Sequence, residues 1–210
     1  MNLLDRAYAR AYDSAMEGAE RAGLAAKRRE VLAEVHGHVV EIGAGTGANL
    51  VHVPASVERI TLLEPSAPMA TRLRARVDAG GAAGSAVVEV AEAPAEALPL
   101  ADASADAVIS TLVLCSVDDL DRSLAEIRRI LRPGGRLVLI EHVATDGPRG
   151  AVQLALAPVW RVVARGCQLR RDTRTAVAQA GFDVTGVHPW SLPGGGPAGP
   201  AIAGVARRRT

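Results

Sequence analysis

Two kinds of apolar pattern alternate along this chain. Short apolar runs bounded by turn residues read as buried strands, and apolar positions three and four apart read as one face of a helix. The first kind occurs at residues 39–42, 59–63, 86–90 and 106–111, in RLVLIEHV, and again near 182–187 and 201–206. The second kind starts at the N-terminus, where Leu4, Tyr8, Ala11 and Ala15 keep helical spacing, and a second helix is expected over about 22–35. The glycine-rich stretch after residue 42 reads as a turn leading into a short helix. Ser66 reads as an N-cap, with Met69, Leu73 and Val77 on one helix face. The most regular helix starts near Asp118. Asp118, Asp119 and Asp121 fill a first turn whose dipole favours anions. Leu120, Leu124, Ile127 and Leu131 form its stripe, Arg128, Arg129 and Arg132 close it, and PGG stops it. A last helix is expected over about 173–180.

Strands that alternate with helices predict an α/β fold with a parallel sheet and helices on both faces. Ligands of such sheets bind beyond the carboxyl ends of the strands, near the point where strand order reverses. That rule gathers residues 41–47, Glu64, Thr111 and His142 around one cleft. His36 and His38 precede the first strand, at the opposite end, and read as surface residues.

Composition narrows the partners. The 210 residues suit a single domain, and SLPGGGPAGP is loop-like but too close to the C-terminus to precede a second one. Apolar residues make up 49% and aromatics only 2%, so the core is aliphatic. A net charge of +1 gives no electrostatic reason to expect nucleic acid. Two Trp, two Tyr and one Phe offer few rings for stacking bases. The start, MNLLDRAYARAYDSAMEG, has no long apolar run, which predicts neither signal peptide nor membrane anchor and makes the cytoplasm the expected location. Two cysteines, Cys115 and Cys167, suggest neither a metal cluster nor a disulfide framework, so no metal is expected.

The chemistry concentrates in HVVEIGAGTGANL. A Gly-rich strand-to-helix turn lets a ligand approach bare backbone. Dinucleotide binders use G-x-G-x-x-G to aim a helix at a pyrophosphate. Here Gly43, Gly45 and Gly47 alternate and position 48 is alanine, which favours a nucleoside without a pyrophosphate. In TLLEPS, Glu64 ends the next strand, where a carboxylate can accept from both ribose hydroxyls. Glu41 has two readings: it meets an ammonium group of the ligand, or it caps loop amides.

VVEIGAGTG, TLLEPS, AEALPLADASADAVISTLVLCSV and EIRRILRPGGRLVLIEHV, in this order over residues 38–143, together resemble the class I S-adenosylmethionine-dependent methyltransferases. The resemblance implies a Rossmann-like, mostly parallel seven-stranded sheet and S-adenosyl-L-methionine as cofactor, with S-adenosyl-L-homocysteine as product. It assigns the methionine part to Glu41, Gly43, Ala44, Gly45, Gly47 and Asn49, and the ribose to Glu64 beside Pro65. Ala95 and Glu96 would flank the adenine. Pro94 stands where an aspartate is common, which implies apolar and backbone contacts to the base. Thr111 and Leu112 would lie beside the methionine moiety. An N-terminal helical lid, residues 1–36, would close over the cofactor and bring the Tyr8 and Tyr12 hydroxyls near its carboxylate.

TLVLCSV, RPGG, EHV, PVW, GCQLRRDT and AGF resemble, more narrowly, the small microsomal methyltransferases that act on alkyl thiols. This implies methyl transfer to a small, fairly apolar acceptor, with a thiol favoured. O- or N-methylation of a small metabolite, quinone or lipid headgroup stays open. So do a nicotinamide-dependent oxidoreductase and a non-catalytic cofactor-binding protein. A sulfonium methyl is displaced in line and needs no acid, so alignment does most of the work. His142, at a strand end, is the candidate general base. Cys115, His142 and Trp160 are expected to line the acceptor pocket, with Trp160 in an inserted segment, 144–171. Asp172 reads as an N-cap rather than a base. The oligomeric state stays open.

Overall fold

The computed structural model describes residues 3–80, 84 and 86–209, and side chains inside the first helix from residue 6 onward. Seven strands form one sheet: β1 Gly37–Ile42, β2 Val57–Leu63, β3 Val87–Ala91, β4 Ala105–Thr111, β5 Leu131–His142, β6 Phe182–Ser191 and β7 Pro200–Arg208. Their order is β3-β2-β1-β4-β5-β7-β6. β1 to β5 run parallel, and β7 enters antiparallel between β5 and β6. The helices are α1 Leu3–Ala19, α2 Ala25–Leu32, α3 Ala67–Asp78, α4 Leu120–Ile130, α5 Gly147–Val163 and α6 Thr173–Gln179. This is the fold of the class I S-adenosylmethionine-dependent methyltransferases.

The period-2 alternation of the strands sorts the core into two layers. Val40, Ile42, Val108, Leu137 and Leu139 face Leu124, Ile127 and Ile130 of α4 and Val177 of α6. Val39, Ile60, Leu62, Ala107, Ile109 and Val138 face the other side, with Val31 and Leu32 of α2 and Leu73 of α3. The order reverses between β1 and β4. Loops leaving these two strands diverge, and the crevice between them is the position that the topology offers to a ligand.

Several elements differ from the sequence reading. The glycine turn leads into turns and a three-residue 3-10 helix, Leu50–His52, rather than an α-helix. The second helix is shorter, ending at Leu32 and preceded by a π-helical turn, Glu20–Leu24. Leu131 does not end the α4 stripe. It is already the first residue of β5 and pairs with Ala105, because β4 captures its backbone at once. In α1, Ala11 and Ala15 are exposed; the inward face carries Ala9, Tyr8, Tyr12 and Asp13, and the Leu4 side chain lies outside the described residues. Ser66 sits at the N-cap of α3 but its hydroxyl makes no capping bond. Asp119 and Asp172 do cap, accepting from the Arg122 and Thr175 amides. His38 is half-buried rather than on the surface, its ring bonded to the Ser104 carbonyl and the Thr61 hydroxyl at 3.0 Å each.

Candidate functional site

A cleft of about 550 Å³ opens at the carboxyl ends of β1, β2 and β4. Gly43 and Gly45 form its floor, Glu64, Pro65 and Met69 one side, and Ala95 and Glu96 another. Leu112 and Val113 of the loop after β4 face them. Tyr8 and Tyr12 of α1 and the segment 164–166 after α5 complete the walls.

The three glycines take positive φ, +55°, +59° and +86°, which only glycine adopts at low cost. Their surroundings separate their roles. A Cβ on Gly43 would strike Val113, and one on Gly47 would strike Leu50 and Leu73 at 2.8 Å. A Cβ on Gly45 would meet nothing nearer than Met69 Cε at 3.7 Å, so its bare face looks into the cleft. Gly45 leaves open space in the cleft, whereas Gly43 and Gly47 make room for protein side chains.

Glu64 follows β2 directly and is nearly buried. Its Oε2 accepts from the Gly45 amide at 2.9 Å and its Oε1 from the Ser66 amide at 2.8 Å. Burial pushes its carboxyl up, and these two amides pull it back. Each oxygen keeps a further lone pair, so the carboxylate can still accept from a ligand hydroxyl. The amide bonds fix its orientation along the cleft wall.

Glu41 is fully buried beneath the glycine loop and does not cap loop amides. Period 2 turns it away from Val40 and Ile42, toward α2. There Asn49 Nδ2 donates to its Oε1 at 3.0 Å and to the Thr111 hydroxyl at 3.1 Å. Arg28 in turn donates to Asn49 Oδ1 at 2.8 Å and pairs with Glu20. Among the described residues, Oε2 of Glu41 has no partner. Burial outweighs the Asn49 bond and raises its carboxyl to about 7. An orphaned buried acceptor at this place fits an ammonium-bearing ligand.

The shift has a checkable sign. An acid raised from 4.5 to about 7 on folding is protonated in both states below the lower value. Above it the unfolded chain ionises first, so stability falls as pH rises through 7. Glu41→Gln, which keeps an acceptor for Asn49, should therefore melt higher than the parent at pH 8, by roughly 3 kcal/mol at most. The gap should close near pH 4.5. Melting curves at both pH values check this, and a gap of equal size at each would remove Glu41 as its source.

Asp13 is the clasp between α1 and the site. It accepts from the Thr46 hydroxyl inside the glycine loop and from Arg72 and Arg76 of α3 at 3.1 and 3.2 Å. These partners hold its carboxyl below the usual range despite partial burial. Sequence reading passed over Asp13 and Arg28, since isolated charges on helices look solvated until the partner element is placed. Glu141, buried on β5, accepts from the Ser110 hydroxyl and from the Val113, Leu114 and Cys115 amides. It shapes the turn in which Leu112 takes φ +60° at the cleft edge. Strain of this kind clusters at ligand sites.

Tyr12, Gly43, Gly45, Glu64, Pro65, Ala95, Glu96 and Leu112 line the cleft. Glu41, Ala44, Gly47, Asn49 and Thr111 form the layer beneath it. Cys115, His142 and Trp160 lie behind the wall. His142 is buried at the end of β5, with its Nδ1 3.6 Å from Cys115 Sγ and 3.4 Å from Cys167 Sγ, and its Nε2 has no partner among the described residues. Trp160 packs against the cysteines, its indole N–H favouring the Cys167 thiolate without completing a hydrogen bond. The contact with Cys115 brings the Cys167 thiol down, helped by His142, while the same contact and burial push Cys115 up. Much of the apolar surface of α5 faces outward: Leu154, Val159 and Val162 are more than 60% exposed. Of the inserted segment only 164–166 reaches the cleft.

Comparison with known proteins places this arrangement. Residues 40–139 match the methyltransferase domain family. The human thiol S-methyltransferase TMT1A is 32% identical over 169 residues, 76% of this chain and 68% of that protein. Mouse thiol S-methyltransferase TMT1B is 33% identical over 194 residues, 86% of this chain and 78% of that protein. The crystal structure of a Thermotoga maritima S-adenosylmethionine-dependent methyltransferase, a possible histamine N-methyltransferase, superposes with a TM-score of 0.68. It is 23% identical and covers 98% of this chain and 97% of its own. No described helix is long and apolar enough to cross a membrane. With its glycine cradle, its ordered carboxylate and these relatives, the chain belongs to the methyltransferase family that includes the thiol S-methyltransferases.

Proposed function

We propose that this enzyme transfers the methyl group of S-adenosyl-L-methionine to the sulfur of a small, fairly apolar thiol, releasing S-adenosyl-L-homocysteine. The observation that carries this reading is the open face of Gly45 beside the fixed carboxylate of Glu64. When bound, the cofactor supplies an electrophilic methyl on a positive sulfonium. Glu64 would accept from the ribose hydroxyls, and Glu41, in the layer beneath the cleft, would meet the ammonium group through water. Met69, Pro94 and Ala95 offer an apolar slot for the base. Residues 1–36 would act as a lid clasped by Asp13, and 144–171 as the segment that walls the acceptor side. Similarity to thiol S-methyltransferases over three-quarters of the chain supports sulfur as the nucleophile. Two free buried thiols suit a cytoplasmic setting.

The chain's own part is to hold two reactants in line and exclude water, which can supply about 7–11 kcal/mol at best. Among the described residues no imidazole lines the cleft. The proton of the acceptor is therefore assigned to solvent, and His142 is not given the role of base. A simple thiol titrates at about 8.5, so kcat/KM should climb with pH until the acceptor's own pKa is passed. Turnover with labelled S-adenosyl-L-methionine across thiols, phenols and amines tests the proposal. Alkyl thiols should be methylated fastest. Faster transfer to a phenol, amine, quinone or lipid headgroup would reassign the acceptor. Binding without transfer to anything would make the chain a cofactor-binding protein. Preference for NAD would return it to the oxidoreductases.

A further inference from the structure

Three segments far apart in sequence meet behind the cleft wall. Cys115 lies in the loop after β4, His142 is the last residue of β5, and Cys167 lies in the loop after α5. All three side chains are buried, and their Sγ, Nδ1 and Sγ atoms lie within 4.8 Å of one another. The Sγ to Nδ1 separations are 3.6 and 3.4 Å. Zinc bonds sulfur at about 2.3 Å and imidazole nitrogen at about 2.0–2.1 Å, so tetrahedral angles put a sulfur and a nitrogen ligand about 3.6 Å apart and two sulfurs about 3.8 Å apart. The observed spacing matches the first value, and the sulfurs need to close by about 1 Å at most to reach the second. Soft thiolates with one imidazole select zinc or a similarly thiophilic ion over magnesium or calcium.

We propose that Cys115, His142 and Cys167 form a Cys2His site for one thiophilic divalent cation of the zinc class, with its fourth position filled from outside the chain. The consequence is mechanical. Ser116 and Gly166, each one residue from a ligand, line the cleft on opposite segments. Hydrogen bonds already join these segments. The Gln168 amide donates to the Cys115 carbonyl at 2.8 Å, and Arg171 donates to the Leu114 and Val117 carbonyls at 2.6 Å each. A bound ion would pin the acceptor wall at 164–166 to the sheet. Because the site is defined by its own three ligands, it stands or falls apart from the choice of acceptor.

The test uses the whole chain, purified with a reductant, stripped with a chelator and titrated with zinc alone. One equivalent should bind tightly, raise the melting temperature and protect both cysteines from alkylation. Cobalt in place of zinc should give the near-ultraviolet thiolate-to-cobalt charge-transfer band of a two-thiolate tetrahedral site. Cys167→Ser should weaken zinc binding by roughly two orders of magnitude or more, while His188→Ala, at an exposed histidine on β6, should leave it unchanged. Since the serine variant also loses buried packing, alkylation protection in the unaltered chain serves as the second readout. Any of three results would overturn the site: no stoichiometric uptake by the reduced chain, a cobalt spectrum without thiolate character, or cysteines that alkylate equally fast with and without zinc.

Discussion

Glu64→Ala lowers the affinity for S-adenosyl-L-homocysteine by at least about 100-fold while the chain stays folded. Hydrogen bonds to a charged group contribute roughly 1.5–3 kcal/mol each, and two ribose hydroxyls are at stake, so the expected loss is about 10²- to 10⁴-fold. The variant also frees the Gly45 and Ser66 amides that now hold the carboxylate. Both sit at the cleft, where water can replace the lost acceptor, so the fold should bear the change. Glu64→Gln is the informative companion. It keeps the shape and one acceptor but faces one of two amide donors with an NH2 group, and should fall between. Isothermal titration, with circular dichroism and a melting curve on the same sample, checks this. Affinity within threefold of the parent for Glu64→Ala would mean that the sugar is held elsewhere.

Gly45→Val should abolish measurable cofactor binding, whereas Gly47→Ala should mainly cost stability. Valine at φ +59° adopts a conformation that disfavours an L side chain by about 1–2 kcal/mol. Its methyls then enter the open space of the cleft. At Gly47 the added methyl meets Leu50 and Leu73 inside the core instead, an overpacking that costs about 1–3 kcal/mol. The two glycines are alike in sequence and should differ in phenotype: one loses ligand, the other loses melting temperature. Normal affinity in Gly45→Val would contradict the cradle. Unchanged stability in Gly47→Ala would contradict the packing.

The pattern of buried carboxylates carries a general point. Glu41, Glu64 and Glu141 are acids at strand ends, and all three are pushed up by burial. They differ in what satisfies them. Glu141 spends its lone pairs on one hydroxyl and three loop amides, Glu64 on two amides with room to spare, and Glu41 on a single side-chain donor. Unspent acceptor capacity, rather than charge, separates Glu41 and Glu64 from the acid that shapes a loop.

Sequence alone determined the strands and, apart from α5 with its outward-facing apolar surface, the large helices, because apolar period and turn chemistry are local signals. It also brought the alternating glycines and the strand-end acid to one cleft, because they lie close together in the chain and the topology rule places both at one sheet edge. The course of the chain past the glycines was not legible: Leu50 is drawn into the core before a helix can form there. Tertiary structure alone decided which glycine faces the cleft and which faces protein, since identical residues differ only in what surrounds them. It alone clasped α1 through Asp13, 33 residues from Thr46. It also turned His142 away from the cleft and onto two cysteines 27 and 25 residues away. Contacts of that kind depend on how loops from three different elements converge, and no period or spacing along a single segment encodes that convergence.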